Sequence, residues 1–204
     1  MNSQYLIENV KVFLRPARKD EETFLFQVYA STRASEMAWL DWTPEQKEAF
    51  LQMQSTAQLK HYRLNYPSAE YQTIEQNGVA IGRLIVDRSK NPILLMDIAL
   101  LPEYQGKGVG TAIIQDLMAE AARRSWSLCL HVEAFNPAMH LYSRLGFVKS
   151  GEMGIYHEMT WQPSGQLRTF IQEEKCLRIW NPRLLRSIST ANFKFRIRRP
   201  SLLP

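Results

Sequence analysis

The stretch PEYQGKGVGTAI, residues 102–113, decides how this chain folds. An apolar run precedes it and an amphipathic run follows it, which predicts a strand, a glycine loop and a helix. The first N–H groups of a helix have no acceptor inside the helix, and glycines let a ligand approach the backbone closely. Gly106, Gly108 and Gly110 supply this freedom, and Lys107 adds a positive charge. The stretch therefore predicts a site for an anion such as a phosphate or diphosphate.

The common phosphate-binding motifs do not match this loop. The nucleotide-binding loop GxxxxGK[ST] needs Ser or Thr after its lysine, but Gly108 follows Lys107. The dinucleotide fingerprint GxGxxG fails in both registers, since its last position falls on Thr111 or on Ile113. On the loop alone, a plain glycine-rich turn stays open as the alternative.

Charge divides the 204-residue chain into two parts. Residues 1–162 contain 16 Lys and Arg against 18 Asp and Glu, a net charge of −2. Residues 163–204 contain 9 basic and 2 acidic residues, a net charge of +7. We therefore expect one domain over 1–162 and a basic extension of unknown role over 163–204. The acidic balance of the domain argues against a nucleic-acid-binding protein, except through the extension.

Hydrophobic periodicity predicts one α/β domain with a mixed sheet. The predicted order is β-α-α-β-β-β-α-β-α-β-β, a mostly antiparallel central sheet flanked by helices. The strands are predicted at 12–15, 71–75, 80–87, 93–101, 128–133, 147–150 and 156–161, and the helices at 20–33, 44–63, 109–124 and 137–145.

The two cysteines and the N-terminus indicate a cytoplasmic chain. The first residues show no basic segment followed by an apolar one, so no signal peptide is expected. No apolar run is long enough to span a bilayer. Cys129 falls inside a predicted strand as a small hydrophobic residue, which fits a reduced chain better than a disulfide scaffold. Two separate cysteines predict no metal site.

Two segments together resemble the GNAT family of acetyl-CoA-dependent N-acetyltransferases. DIALLPEYQGKGVGTAIIQDL contains the family's glycine motif Q/R-x-x-G-x-G/A at Gln105, Gly108 and Gly110. LHVEAFNPAMHLYSRLGF follows the second motif, with Tyr142 four residues before Gly146. It departs from that motif between Asn136 and Tyr142, where the spacing is one residue short. The resemblance covers residues 11–162 and is strongest over 93–161.

The resemblance implies a coenzyme site in a V-shaped gap between the strands 93–101 and 128–134. The diphosphate of acetyl-CoA would lie on the glycine loop, and the pantetheine arm would pair with the backbone near the end of the first of these strands. The expected coenzyme-binding residues are Ile98, Ala99, Leu100, Gln105, Gly106, Lys107, Gly108, Val109, Gly110, Thr111 and Asn136. Asn136 also has a purely structural interpretation as a helix cap before Pro137.

The same resemblance implies direct transfer of the acetyl group to an amine in a ternary complex, without a metal. In similar enzymes a tyrosine at the place of Tyr142 protonates the leaving thiolate, whereas the alternative for Tyr142 is packing on the sheet. Asp97, Glu133 and His131 are the candidate general bases, and an ordered water chain is the alternative. Cys129 as an acetyl-carrying nucleophile lacks a surrounding Cys-His-Asp pattern.

The acceptor is not determined by the sequence. Glu36, Trp39 and Trp42 combine acid with aromatic rings, which suits a cationic amine, although the tryptophans could equally anchor helices. A small molecule, a peptide and a homodimer remain open as partners. The other functions to weigh are a catalytically weak coenzyme A-binding module and polyanion binding by residues 163–204.

Overall fold

The computed structural model describes residues 3–7 and 10–163 of the chain. Its elements in chain order are β1 (Ser3–Ile7), β2 (Val10–Pro16), α1 (Glu22–Thr32), α2 (Ala34–Ala38), α3 (Pro44–Asn65), β3 (Glu70–Gln76), β4 (Val79–Asp87), β5 (Ile93–Leu100), α4 (Val109–Arg123), β6 (Leu128–Glu133), α5 (Ala138–Arg144), β7 (Val148–Met153) and β8 (Tyr156–Trp161). Short 3-10 turns lie at Lys19–Glu21 and Pro102–Tyr104. Every predicted element is present, and β1 and α2 are additions that the sequence did not predict. The basic extension 163–204 lies outside the described residues apart from Pro163.

The elements form one mixed sheet of eight described strands in the order β1-β2-β3-β4-β5-β6-β8-β7. Only β5 and β6 are parallel, and each other neighbouring pair is antiparallel. This confirms the predicted fold class. One boundary was wrong, since β7 continues to Met153 through the segment predicted as a turn. An irregular register between Lys149 and Gly151 lets the strand continue opposite Glu158.

The larger hydrophobic core lies between α4 and one face of the sheet. The row of side chains that the sequence predicts at i+4 spacing is buried there, from Val109 through Ile113 and Leu117 to Ala121. It packs on β5 and β6 through Ile93, Leu95, Leu128 and Leu130. Burying one such side chain contributes roughly 1.5–3 kcal/mol. This packing fixes the start of α4 against the ends of the two parallel strands.

The opposite face of the sheet is covered by α3 and has a smaller core. Tyr62 of α3 and Tyr66, the residue after α3, pack there on Ile85, Leu94 and Cys129. Cys129 is buried as predicted, but it is disulfide-bonded. The expectation of a free, reduced thiol at this position was therefore wrong.

Local sequence signals define the start of α3 and the β3–β4 hairpin as predicted. Thr43 accepts a hydrogen bond from the Gln46 backbone N–H at 3.3 Å, and the Gln46 side chain accepts one from the Thr43 N–H at 2.9 Å. This reciprocal cap satisfies two N–H groups at the start of the helix. Between β3 and β4, Asn77 and Gly78 both have positive φ values, 51° and 80°, as a tight hairpin turn requires.

A buried carboxylate ties the first turn to the sheet. Glu21 accepts hydrogen bonds from Arg15 at 2.9 and 2.5 Å, from the Arg18 backbone N–H at 2.8 Å and from Thr73 at 3.0 Å. The Arg15 hydrogen bonds are the main cause that lowers the pKa of Glu21 from 4.5 to about 2, against the opposing effect of burial. The charged form of Glu21 therefore stabilises the fold.

Replacement of Glu21 by Gln should destabilise the protein in a pH-dependent way. The pKa in the folded state lies below its unfolded value, so the contribution is complete above pH 4.5 and is lost as the pH falls towards 2. We expect a loss of about 1–2 kcal/mol at pH 7, allowing for solvent screening of Arg15. Urea unfolding at pH 7 and at pH 3 measures this difference, which should shrink at the lower pH. Asp20→Asn is the matched control, because Asp20 is 78% exposed. An equal loss at both pH values would contradict the prediction.

Candidate functional site

The site begins where the two parallel strands separate. β5 and β6 pair only over Ile93–Leu95 and Leu128–Leu130. Beyond these residues β5 continues to pair with β4 as far as Leu100, and β6 continues to pair with β8 as far as Glu133. The facing edges of residues 96–100 and 131–133 therefore diverge without pairing to each other. The wedge-shaped gap that the resemblance implied is present.

A bulge in β5 determines which side chain enters the gap region. Leu95 pairs with Val86 and Asp97 with Ile85, so Met96 is an extra residue. Successive side chains of a strand alternate between faces, and a regular β5 would place Asp97 on the face of Leu95, in the core under α4. The extra residue moves Asp97 to the opposite face. The bulge thus avoids a carboxylate in the main core.

A cavity of about 230 Å³ lies on this opposite face, between the helical layer and the ends of β5 and β6. Tyrosines and charged groups dominate its wall. The helical layer contributes Tyr29, Arg33, Glu36, Gln58, Tyr62 and Tyr66 to its lining. The strands β5 and β6 contribute Asp97, Ile98, His131 and Glu133, and later residues of the chain contribute Asn136, Tyr142 and Tyr156.

The glycine loop opens α4 at the other end of the gap. Gly106 and Gly108 have φ values of 72° and 80°, which favour glycine strongly. The first hydrogen bond of the helix runs from the Ala112 N–H to the Gly108 carbonyl, at 3.0 Å. The backbone N–H groups just before Ala112 therefore have no acceptor within the helix. Gln105 donates to the Leu100 carbonyl at 2.8 Å and fixes the loop to the end of β5.

Space and charge at this loop suit an anion. A side chain built at Gly110 would meet no heavy atom within 4 Å. The Lys107 ammonium lies 5.6 Å from the centre of the Tyr104 ring, within the exposed loop. Neither Asp nor Glu occupies the first turn of α4, so nothing acidic opposes an anion there.

Tyr142 of α5 reaches the cavity from the core side. Its side chain is 7% exposed, and its ring packs edge-on against Phe147 with a centroid distance of 5.7 Å. Burial raises the pKa of Tyr142 to about 12, and the negative charge of Asp97 adds to this effect. The phenol therefore stays protonated at neutral pH and can donate a proton.

Asp97 forms a buried ion pair with Arg83 of β4. The Arg83 side chain is 4% exposed and that of Asp97 is 18% exposed. Arg83 also donates to Gln58 at 3.3 Å and lies 5.4 Å from the centre of the Tyr29 ring. Asp97 thus has a structural partner as well as access to the cavity.

Glu133 forms a second, more open ion pair with Arg33. One nitrogen of Arg33 donates both to Glu133 at 3.0 Å and to Glu36 at 2.9 Å. Tyr156 donates a further hydrogen bond to Glu133 at 3.2 Å. Arg33 lies between α1 and α2, so this pair joins the helical layer to β6 across the cavity.

His131, the third candidate base, has a buried carboxylate beside it. Its ring nitrogen lies 3.6 Å from a Glu158 oxygen, and both side chains are 6% exposed. Burial alone would raise the pKa of Glu158, but the neighbouring His131 and the hydrogen bond from Ser150 at 2.8 Å outweigh it and leave the pKa lowered. His131 therefore has a stabilising role in the strand pair β6–β8, in addition to its place in the cavity wall.

Asn136 begins the turn into α5. Its side-chain oxygen accepts a hydrogen bond from the Ala138 N–H at 2.9 Å, but the N-cap residue of α5 is Pro137, one position later than predicted. Asn136 also lines the cavity. α5 starts one residue later than predicted, at Ala138.

The three residues predicted to bind the acceptor do not all line the cavity. Glu36 lines the cavity, whereas Trp39 is 89% exposed at the end of α2. Trp42 packs edge-on against Phe50 at 5.3 Å, outside the cavity lining. The sequence reasoning missed Arg33, Arg83 and the tyrosines Tyr29, Tyr62 and Tyr66. Arg83 could have been found, because it is a charged residue inside a run that predicts a buried strand.

Known acetyltransferases are similar to part of this chain. Residues 67–149 match the family model described as acetyltransferase (GNAT) domain. The [ribosomal protein bS18]-alanine N-acetyltransferase of Haemophilus influenzae is 32% identical over 91 residues, which cover 44% of this chain and 60% of that relative. Within the described residues, no helix is long and apolar enough to cross a membrane.

Solved structures share the fold at low sequence identity. The PaiA N-acetyltransferase of Thermoplasma acidophilum, solved in complex with coenzyme A, has a TM-score of 0.58 at 16% identity, covering 74% of this chain and 99% of that one. A GCN5-related N-acetyltransferase from Rhodopseudomonas palustris has a TM-score of 0.52 at 22% identity, covering 79% of this chain and 98% of that one. The chain therefore shares the fold of these acetyltransferases.

The two ion pairs should differ in their effect on stability. Asp97→Asn leaves the Arg83 cation buried without its carboxylate, and we expect a loss of about 2–4 kcal/mol in the free energy of unfolding. Glu133→Gln should cost less than about 1 kcal/mol, because both partners are partly exposed and Arg33 keeps Glu36. Urea unfolding of both variants at pH 7 compares them, with Arg83→Met/Asp97→Asn expected to recover part of the larger loss. Equal losses in the two single variants would contradict this contrast.

Proposed function

We propose that the chain transfers the acetyl group of acetyl-CoA directly to an amine acceptor within a ternary complex. The observation that carries this proposal is the unpaired gap between β5 and β6, which joins the glycine loop at one end to Tyr142 and the cavity at the other. The names of the relatives support it, since they include N-acetyltransferases and a complex with coenzyme A.

The residues of the gap fit an elongated coenzyme. The loop residues Gln105 to Thr111 offer backbone N–H groups and Lys107 to a diphosphate, and Gly110 leaves room for it. The edge of β5 at Ile98, Ala99 and Leu100 offers backbone groups to an extended arm, as an added strand would use them. Asn136 lies at the opposite wall of the same cavity. When bound, acetyl-CoA supplies the thioester that an uncharged amine attacks.

Groups of this chain can stabilise the oxyanion, protonate the leaving thiolate and accept the proton of the amine. A backbone N–H near Leu100 would stabilise the developing oxyanion. As the new C–N bond forms and the C–S bond breaks, Tyr142 gives its proton to the leaving sulfur. Asp97 or Glu133, directly or through water, takes the proton of the amine, with His131 as the further candidate. Cys129 is disulfide-bonded and offers no thiol for an acetyl-enzyme route.

A coenzyme A-binding domain with weak catalysis is the second reading of the same geometry. It shares the loop and the gap but does not require a protonated Tyr142 at the cavity. The phenol of Tyr142 in the cavity wall favours the enzyme, because it is a proton donor that the binding module does not need. Action in the cytoplasm, a homodimer and polyanion binding through residues 163–204 remain predictions from the sequence.

Coenzyme binding should depend on the open space at Gly110. Gly110→Trp should weaken acetyl-CoA binding at least ~100-fold, since its side chain would occupy the place assigned to the diphosphate, and each tenfold corresponds to ~1.4 kcal/mol. Calorimetric titration with acetyl-CoA and with CoA measures the loss. Unchanged thermal unfolding shows that the fold is intact. Wild-type affinity in a folded Gly110→Trp protein would exclude this coenzyme site.

Tyr142→Phe should separate chemistry from binding. The ring keeps its packing on Phe147, but the proton donor is lost, so kcat should fall by roughly 100-fold or more. The KM for acetyl-CoA should change little, because the phenol acts on the leaving sulfur during transfer. A free-thiol assay of CoA release over a panel of amines measures both constants. Full activity of Tyr142→Phe would remove Tyr142 from the mechanism.

A further inference from the structure

We infer that the acceptor is a monocationic amine without a neighbouring carboxylate, and that its ammonium binds Glu133 by displacing Arg33. This rests on the proposed function, because it assigns the acceptor end of the same cavity. The inference comes from comparing what each carboxylate of the cavity would lose if a substrate cation took over its pairing.

Asp97 cannot replace its ion-pair partner Arg83 by a substrate ammonium without a large loss of folding stability. Its partner Arg83 is 4% exposed and belongs to β4, the strand next to β5, with its backbone held in the sheet. Two Arg83 side-chain nitrogens are already buried without a hydrogen-bond partner in the described part of the chain. Removing Asp97 from this guanidinium would leave a buried cation uncompensated. A substrate ammonium at Asp97 would therefore add to the pair and would not replace Arg83.

Glu133 can exchange its partner without leaving a charge unpaired. Arg33 is 24% exposed and Glu133 is 27% exposed, so neither is sealed from water. The same Arg33 nitrogen already donates to Glu36 at 2.9 Å, and the Glu36 side chain is 51% exposed. If Arg33 leaves Glu133, its charge stays compensated by Glu36. An incoming ammonium compensates Glu133, which also keeps the hydrogen bond from Tyr156.

The surroundings of Arg33 suit a cation. Its guanidinium carbon lies 6.0 Å from the centre of the Tyr29 ring, and Tyr62, Tyr66 and Tyr156 line the same cavity. Aromatic faces attract ammonium groups as well as guanidinium groups. The Arg33 guanidinium is thus already a cation between carboxylates and aromatic rings. The substrate ammonium would take its position.

The charge balance favours one positive charge on the acceptor. Three carboxylates of the cavity wall, Glu36, Asp97 and Glu133, pair with two guanidinium groups, Arg33 in the wall and Arg83 behind it, which leaves a net charge of −1 in this set of ion pairs. A monocationic amine neutralises this charge, whereas a zwitterionic amino acid leaves it unchanged. A small amine and the N-terminus of a peptide share this chemistry, and a volume of about 230 Å³ accommodates a small amine or one terminal residue.

The first test compares acceptors that differ by one carboxylate. 2-Phenylethylamine and phenylalanine are incubated with the full chain and acetyl-CoA, and CoA release gives kcat/KM for each. We expect the amine to be preferred by ~10-fold or more, a difference of ~1.4 kcal/mol. An equal or greater value for phenylalanine would overturn the inference. An alanyl peptide amide is the third arm: turnover faster than that of phenylethylamine identifies a chain N-terminus as the source, and slower turnover identifies a small amine.

Two variants test the exchange at Glu133. Glu133→Gln should raise the KM for the preferred amine by ~10-fold or more without changing the KM for acetyl-CoA. Glu152→Gln is the matched control, because Glu152 is paired with Lys149 on β7, outside the cavity lining. Arg33→Gln should lower the KM for the amine several-fold, since it removes the internal competitor. A raised KM in Arg33→Gln would show that Arg33 is a structural clamp and would overturn the inference.

Calorimetry separates this inference from the proposed function. If wild-type protein binds no acetyl-CoA or CoA, the proposed function fails and the inference fails with it. If coenzyme binds but none of the three acceptors binds to the CoA complex or is acetylated, the inference alone fails. Urea unfolding of Glu133→Gln and Arg33→Gln identifies any variant whose kinetic change comes from loss of the fold.

Discussion

The separation of two parallel strands is the constraint on which the rest of the site depends. β5 and β6 share hydrogen bonds over only three residue pairs, and then each follows its other neighbour. A regular sheet would pair these backbone groups and close the surface. Parting them leaves an edge of β5 beside the start of α4, where further N–H groups lack acceptors. Backbone donors thus lie along one gap, and a ligand can use them without any change in the core.

The bulge at Met96 makes this separation compatible with a stable core. Without the extra residue, Asp97 would lie on the α4 face among apolar side chains, where an unpaired carboxylate is costly. With the extra residue, Asp97 forms its ion pair with Arg83 on the cavity face of the sheet. The residues Ile93 and Leu95, which precede Asp97, still pack under α4. One inserted residue therefore separates a hydrophobic surface from a charged one along a single strand.

The two ion pairs of the cavity combine a fixed charge with an exchangeable one. Arg83 and Asp97 lie on neighbouring strands and are largely buried, so their pairing is part of the fold. Arg33 reaches Glu133 from a junction between two short helical segments and keeps a second carboxylate within reach. A site with this arrangement can admit a cation on one side while the other side holds its geometry. Tyr142 lines the same cavity and packs in the main core, and burial, with the charge of Asp97, raises its pKa further above neutral pH.

Local patterns in the sequence predicted much of this molecule. The capping residues of α3, the Asn-Gly turn, the i+4 row of α4 and the glycine loop are signals carried by neighbouring residues, and each was confirmed. The two motifs also indicated the resemblance to acetyltransferases that the match over residues 67–149 supports. Boundaries were less certain, as β7 shows, because pairing with β8 extended a strand that the local sequence did not favour.

What the sequence by itself determined is the order of the elements, the glycine loop before α4 and the place of Tyr142 and Asn136. Only the tertiary structure decided how distant charges pair. Arg33 and Glu133 are 100 positions apart, and no local pattern relates them. The exposure of Trp39 and the packing of Trp42 on Phe50 were also decided by the arrangement of helices, against the prediction of an aromatic acceptor site there. The physical reason is that periodicity and capping act between neighbours in the chain, whereas ion pairs and cavities depend on where the sheet brings separate elements together.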